Sequence, residues 1–96
     1  MKVILKDILN NKSYTEGGYA LYALAEQAIE AGDLVYVDML EVQSVPTLFM
    51  NTSFGDLILK YGIEATKKLF RFNNITKFQV SRIQDYFDKY QALLVR

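Results

Sequence analysis

Residues 34–57 read LVYVDMLEVQSVPTLFMNTSFGDL, and the order of its parts decides the architecture. An apolar run from Leu34 to Leu40 carries one acidic residue, Asp38. A polar turn follows, holding the single proline of the chain, Pro46. A helical pattern then contains Asn51, Phe54 and Gly55. A buried strand that passes through a polar turn into a helix N-terminus is where α/β sheets tend to place their working surface. The nearly continuous apolar run suits a strand covered on both faces, hence a parallel sheet flanked by helices.

The reading extends outward from there. Lys2 to Leu9 is expected as a first strand, with Asn10, Asn11 and Lys12 as its exit turn. Leu21, Leu24, Ala25 and Ala28 fall at i, i+3, i+4 and i+7, one apolar stripe of a helix over 19–31, which Gly32 closes. Thr47 to Tyr61 reads as a second helix with Met50, Phe54, Leu57, Ile58 and Tyr61 inward, and Gly62 ends it. Glu64 to Leu69 fits a short helix, and Leu69 to Phe72 alternates as a strand that leaves at Asn73-Asn74. Thr76 and Gln79 have the spacing of a capping box, with Ile75 and Val80 placed for a hydrophobic staple. Val80, Ile83, Phe87, Tyr90 and Leu94 then mark the apolar face of a final helix. The predicted fold is a single α/β domain over 1–96, a small single-layer, mostly parallel sheet of three or four strands in β-α-β-α-β-α order.

Composition excludes several kinds of chemistry. Ninety-six residues with 51% apolar and 23% charged content fit one soluble domain. The chain has no cysteine and no histidine. That removes disulfides, thiol catalysis, imidazole metal sites and His-activated nucleophiles. No catalytic residue, cofactor or metal site is expected. Eleven basic and eleven acidic residues balance to zero, so no long-range field steers the chain to nucleic acid or an anionic membrane. No apolar window is long enough to span a bilayer and no signal-peptide pattern is present. A cytoplasmic location is the expectation.

The stretch at 34–57 resembles the STAS-like domain family of bacterial domains of unknown function. The family pattern is roughly a strand ending Leu-Asp-Phe, a Gly-Val turn, and Ser-Phe-Ala-Asn-Glu-x-Phe-Gly-x-Leu. Here Val37-Asp38-Met39 stands at the strand end and Glu41-Val42 takes the turn, while Phe49, Asn51, Phe54, Gly55 and Leu57 match the helix without gaps. Thr15 and Gly18 fit the start of the first helix, and the similarity runs over 1–90. Two departures stand out. The family's serine before the phenylalanine is Leu48, and the arginine often found where the first helix starts is replaced by Thr15-Glu16-Gly17. The family is distantly similar to the anti-sigma-factor antagonists, which change partners when a serine at this helix N-terminus is phosphorylated by a histidine-kinase-like ATPase.

The resemblance implies a non-enzymatic, regulatory protein-binding module. Ser44, Pro46, Thr47, Leu48 and Asn51 would face the partner, and Thr47, then Ser53, are the phosphoacceptor candidates. Against this stands the plainer expectation that Ser44 or Thr47 simply caps the helix. Asp38 is expected to shape the turn by accepting backbone N–H bonds over 41–47, and Gly55 to serve close packing. Three other classes stay open: a small-ligand sensor at the strand ends, a homodimer through the last helix with Phe78 and Tyr86 off its stripe, and a magnesium-dependent enzyme using Asp38, Glu41 and Asp56.

Overall fold

In the computed structural model, which describes residues 1–94, the elements run β1 (Lys2–Ile4), α1 (Leu5–Leu9), α2 (Tyr14–Ala31), β2 (Val35–Asp38), α3 (Thr47–Met50), a π-helical turn (Asn51–Gly55), α4 (Asp56–Tyr61), α5 (Ile63–Leu69), β3 (Phe70–Asn73) and α6 (Lys77–Leu94). The three strands form one sheet in the order β1-β2-β3, and both pairings are parallel. The expected α/β class and parallel sheet are therefore present.

Only one face of that sheet is covered. Val35 and Val37 are fully buried, whereas Tyr36 between them is 39% exposed. The register carries this alternation across the sheet. Val3, Val37 and Phe72 align on the covered side, and Lys2, Tyr36 and Arg71 align on the open side. Right-handed crossovers between successive neighbours all fall on the same side of a sheet. The helices accordingly gather on one face, and the expectation of cover on both is corrected. A run of apolar letters reports hydrophobicity, not how many layers lie against it.

The first strand is shorter than expected. It ends at Ile4, and Leu5, Ile8 and Leu9 turn into α1. Their i, i+3, i+4 spacing is that of a helix stripe, which a strand over 2–9 would have split between two faces. The next helix begins earlier than expected, at Tyr14. Ser13 caps it with a complete capping box to Glu16, the N–H groups of Glu16 and Ser13 donating at 3.1 Å each way. Gly17 and Gly18 lie inside this helix because a neighbour comes very close. A Cβ at Gly18 would sit 1.8 Å from Thr52 Oγ1 and 2.5 Å from the Phe49 carbonyl. Thr52 also donates to the Thr15 carbonyl at 2.9 Å, so α2 and the π turn are joined backbone to side chain.

The second helix is one helical run with a π turn in the middle. The Asp56 N–H reaches the Asn51 carbonyl, five residues back. Widening one turn brings Phe49 and Phe54 to the same side, where both are buried and their rings meet edge to face at 6.2 Å. Phe54 continues the cluster to Phe70 at 5.0 Å and Phe87 at 5.6 Å. A strict 3.6-residue period places Phe49 off the stripe of Met50, Phe54, Leu57, Ile58 and Tyr61, and the π turn accounts for its burial.

The last helix buries Ile83 and Phe87 as expected, with Tyr90 packed partly buried against the core, but the inward face is shifted. Gln79 and Tyr86 are also inward, while Val80 and Leu94 are exposed. Tyr86, expected off the stripe and free to join a dimer, is instead in the core. The capping box at Thr76 and Gln79 is present in both directions, at 3.0 and 3.1 Å.

Candidate functional site

The segment between β2 and α3 is short, polar and held from three sides. Its start is a tight turn: the Val42 N–H donates to the Met39 carbonyl at 3.0 Å, and Glu41 adopts left-handed backbone with φ 61°. Asp38 Oδ1 accepts from the Leu40 N–H and from Asn74 Nδ2, both at 2.9 Å. These two donors hold its carboxyl below the usual carboxylate range, the Asn74 amide contributing more. Asp38 thus ties the end of β2 to the exit of β3. It does shape the turn, but through Leu40 and Asn74 rather than the N–H groups of 41–47.

The far half of the loop is pinned by α6. Gln79 Nε2 donates to the Val42 carbonyl at 2.6 Å and Arg82 Nη2 to the Val45 carbonyl at 3.2 Å. Val42 and Val45 are themselves buried. The loop is therefore a preorganised surface on a rigid base.

Pro46 takes the N-cap position of α3, and no side chain caps this end among the described residues. The expected caps, Ser44 and Thr47, do not serve as such. Proline has no N–H to satisfy, and its extended backbone at ψ 160° suits a residue just outside a helix. Thr47 and Ser44 are exposed. Leu48 is 62% exposed and Phe78 is 73% exposed. A groove of about 440 Å³ brings Ser44, Pro46 and Thr47 together with Phe78, Gln79 and Arg82. Thr47 and Arg82 also line the adjoining groove with Lys89.

The remaining expected residues separate. Asn51 is exposed, and its Oδ1 accepts from the Tyr86 hydroxyl at 2.8 Å. Burial, with Tyr90 beside it, pushes the Tyr86 hydroxyl well above the usual phenol value. Gly55 makes room for this hydroxyl, since a Cβ there would meet it at 2.5 Å. Ser53 is 0% exposed and donates to the Phe49 carbonyl at 2.8 Å. A kinase cannot reach it in the folded chain, which leaves Thr47 as the acceptor candidate. Asp38, Glu41 and Asp56 do not converge. Glu41 pairs with Lys6, and among the described residues no three acidic or other metal-ligating side chains come together.

Sequence reasoning missed Arg82 altogether, which carried no local signal, and gave Gln79 only its capping role. Phe78 had been marked only for lying off the stripe of its helix.

Residues 18–78 match the sequence profile of a family described as STAS-like domain of unknown function (DUF4325). The chain belongs to this family. The matched span runs from Gly18, where α2 meets the π turn, to the exposed Phe78, and so contains the whole pinned loop. Comparison with curated proteins and with solved structures gives no significant match. The family's motif now has a physical reading in this STAS-like domain. Its Asn-x-x-Phe-Gly, here Asn51 to Gly55, coincides with the π turn. Its turn glycine is replaced by Glu41, at the position whose φ is positive. Among the described residues no helix is long and apolar enough to cross a membrane.

Proposed function

We propose that this STAS-like domain is a non-enzymatic, cytoplasmic regulatory module that binds a protein partner through residues 43–47 and the first turn of α3. The carrying observation is the pairing of a fixed backbone with exposed apolar groups. Gln79 and Arg82 hold the loop carbonyls, while Leu48, next to Thr47 in the chain, and Phe78, which lines the groove with Pro46 and Thr47, stand in solvent. Preorganisation lowers the entropy cost of docking, and large exposed apolar side chains are the usual anchors of a contact.

Phosphoryl transfer to Thr47 would switch this surface. The new phosphate would lie beside Arg82 and near the uncapped N–H groups of α3, which favour an anion. It would also bring close to two negative charges to the apolar contact and weaken it. By the family's distant similarity, the partner is a histidine-kinase-like ATPase.

The test is an incubation of the immobilised chain with native host lysate and ATP, reading bound proteins and the intact mass of the bait. A kinase-like ATPase retained by the wild type, lost with Leu48→Asp, and a phosphoryl label absent from Thr47→Ala are the expected results. Equal retention by Leu48→Asp and Phe78→Asp removes the proposed surface. A label that persists in Thr47→Ala removes the switch.

A further inference from the structure

The outer edge of β3 lies beside an apolar groove that the proposed loop surface does not use. β3 ends the sheet, and among the described residues no strand pairs with its outer side. The Met39 N–H donates to the Asn73 carbonyl at 2.9 Å. Residues alternate in the side to which they turn their main-chain groups, so Arg71 and Asn73 face β2, and Phe70 and Phe72 face outward. One outward group is already occupied from its own strand. Arg71 Nη1 donates to the Phe70 carbonyl and to the Lys68 carbonyl, both at 2.9 Å.

The groove, of about 440 Å³, runs between this edge and α6. Phe70, Phe72, Val80, Ile83 and Phe87 make its apolar walls, with Lys67 and Arg71 at its rim and no carboxylate lining it. A fourth strand in the 1-2-3 succession would lie in this slot. Its alternate side chains would enter the groove, and the others would pass Arg71 on the open face of the sheet.

We propose that β3 and this groove take up an extended segment of a partner protein, one whose inward residues are apolar and whose outward residues are acidic. Edge addition draws its affinity from main-chain bonds and its specificity from alternate side chains. The cationic rim selects the charge. A second copy meeting edge to edge would set Arg71 and Lys67 against their own counterparts, so the charge pattern favours a different, acidic chain. On docking, the segment supplies an N–H to the Phe70 carbonyl, and the released guanidinium turns to a carboxylate of the incoming strand.

The experiment is selection of a phage-displayed library of random decapeptides on the intact chain, with binding of the enriched peptides then measured on variants. Val80 is half-exposed and Arg71 is exposed, so Val80→Glu and Arg71→Glu are expected to leave the fold intact, as checked by circular dichroism. Expected are peptides that alternate apolar and acidic residues and protect the Phe72 amide from hydrogen exchange. They should bind Val80→Glu at least about tenfold more weakly, a loss near 1.4 kcal/mol. Arg71→Glu should lose the acidic preference, and Leu48→Asp should change nothing, which separates this site from the loop surface. The proposal is overturned by a selection without enrichment, by peptides without an acidic bias, by equal binding to Val80→Glu, or by a dimer that Val80→Glu dissociates with no peptide involved.

Discussion

Gln79 Nε2 donates to the Val42 main-chain carbonyl at 2.6 Å across 37 residues of sequence. The same side chain closes the capping box of α6 with Thr76, so its amide joins two tasks at opposite ends of one functional group. Gln79→Ala removes both. A buried carbonyl left without its donor costs about 1–3 kcal/mol and a lost cap about 1 kcal/mol. The expected loss is roughly 2–3 kcal/mol, read as a lower urea midpoint at unchanged slope. Hydrogen exchange should quicken at 39–46 in particular. A midpoint within error of the wild type would show that this bond does not hold the loop.

Gly55 and Tyr86 form a second coupled pair. A Cβ at Gly55 lies 2.5 Å from the Tyr86 hydroxyl, and that hydroxyl is held by Asn51. Gly55→Ala is expected to destabilise by about 1–3 kcal/mol, overpacking outweighing the helix propensity that alanine adds. In the Tyr86→Phe background the closest clash is gone and the Tyr90 hydroxyl at 3.2 Å is the nearest atom left, so the same change should cost less. A double-mutant cycle by urea denaturation measures the difference. Additive effects would place the cost of Gly55→Ala elsewhere.

Glu41 stands in left-handed backbone, φ 61°, where the family pattern has glycine. An L-residue held there costs roughly 1–2 kcal/mol, which glycine avoids. Glu41→Gly also removes the ion pair with Lys6, but an exposed pair contributes little. The melting temperature of Glu41→Gly is expected to rise. A fall would mean that the Lys6 contact outweighs the backbone strain.

Acid sensitivity follows from carboxylates whose values are lowered in the fold. The Asn74 amide lowers Asp38, Lys60 lowers Glu26, the terminal amine lowers Asp33, and Ser13 lowers Glu16. A lowered value contributes stability that is fully present above the unfolded value, about 3.9 for Asp and 4.3 for Glu, and is lost as pH falls through the folded one. Stability should therefore decline from about pH 5 downward. Asn74→Ala, which frees Asp38 of its main donor, should make the decline shallower between pH 5 and 2 as measured by denaturation midpoints. An unchanged profile would remove Asp38 from the acid response.

Much of the fold is legible in local pattern. The helix at 47–61, its terminating Gly62, the strand near 70 and the capping box at Thr76 each rest on neighbours within about one helical turn, and such short-range signals are written in the chain. The family motif at 49–57 belongs to the same class. Where local signals compete, the reading failed. Lys2 to Leu9 has enough apolar residues for a strand and the right spacing for a strand followed by a helix. Gly17 and Gly18 look like a break, yet lie within a helix because Thr52 must come close.

The site was less legible than the fold. Leu48 and Phe49 both fall outside the apolar stripe of their helix, and only the packed structure separates them, Leu48 into solvent and Phe49 into the core. Ser53, only one residue from Thr52, could not be told from an exposed serine until the π turn carried it inward. Arg82 and Gln79 reach carbonyls 37 residues away, and a side chain's type does not name its distant partner.

The sequence by itself determined the alternation of three strands with helices, the parallel α/β class, the family and the polar turn between β2 and α3. These depend on periodicity, capping and turn chemistry, all of them interactions between residues close in the chain. Tertiary structure alone decided that the sheet is covered on one face, that Ser53 is sealed in the core, and that α6 grips the loop at Val42 and Val45. Those outcomes depend on which surfaces meet once the whole chain has buried its apolar area, a sum over distant contacts that no single stretch contains.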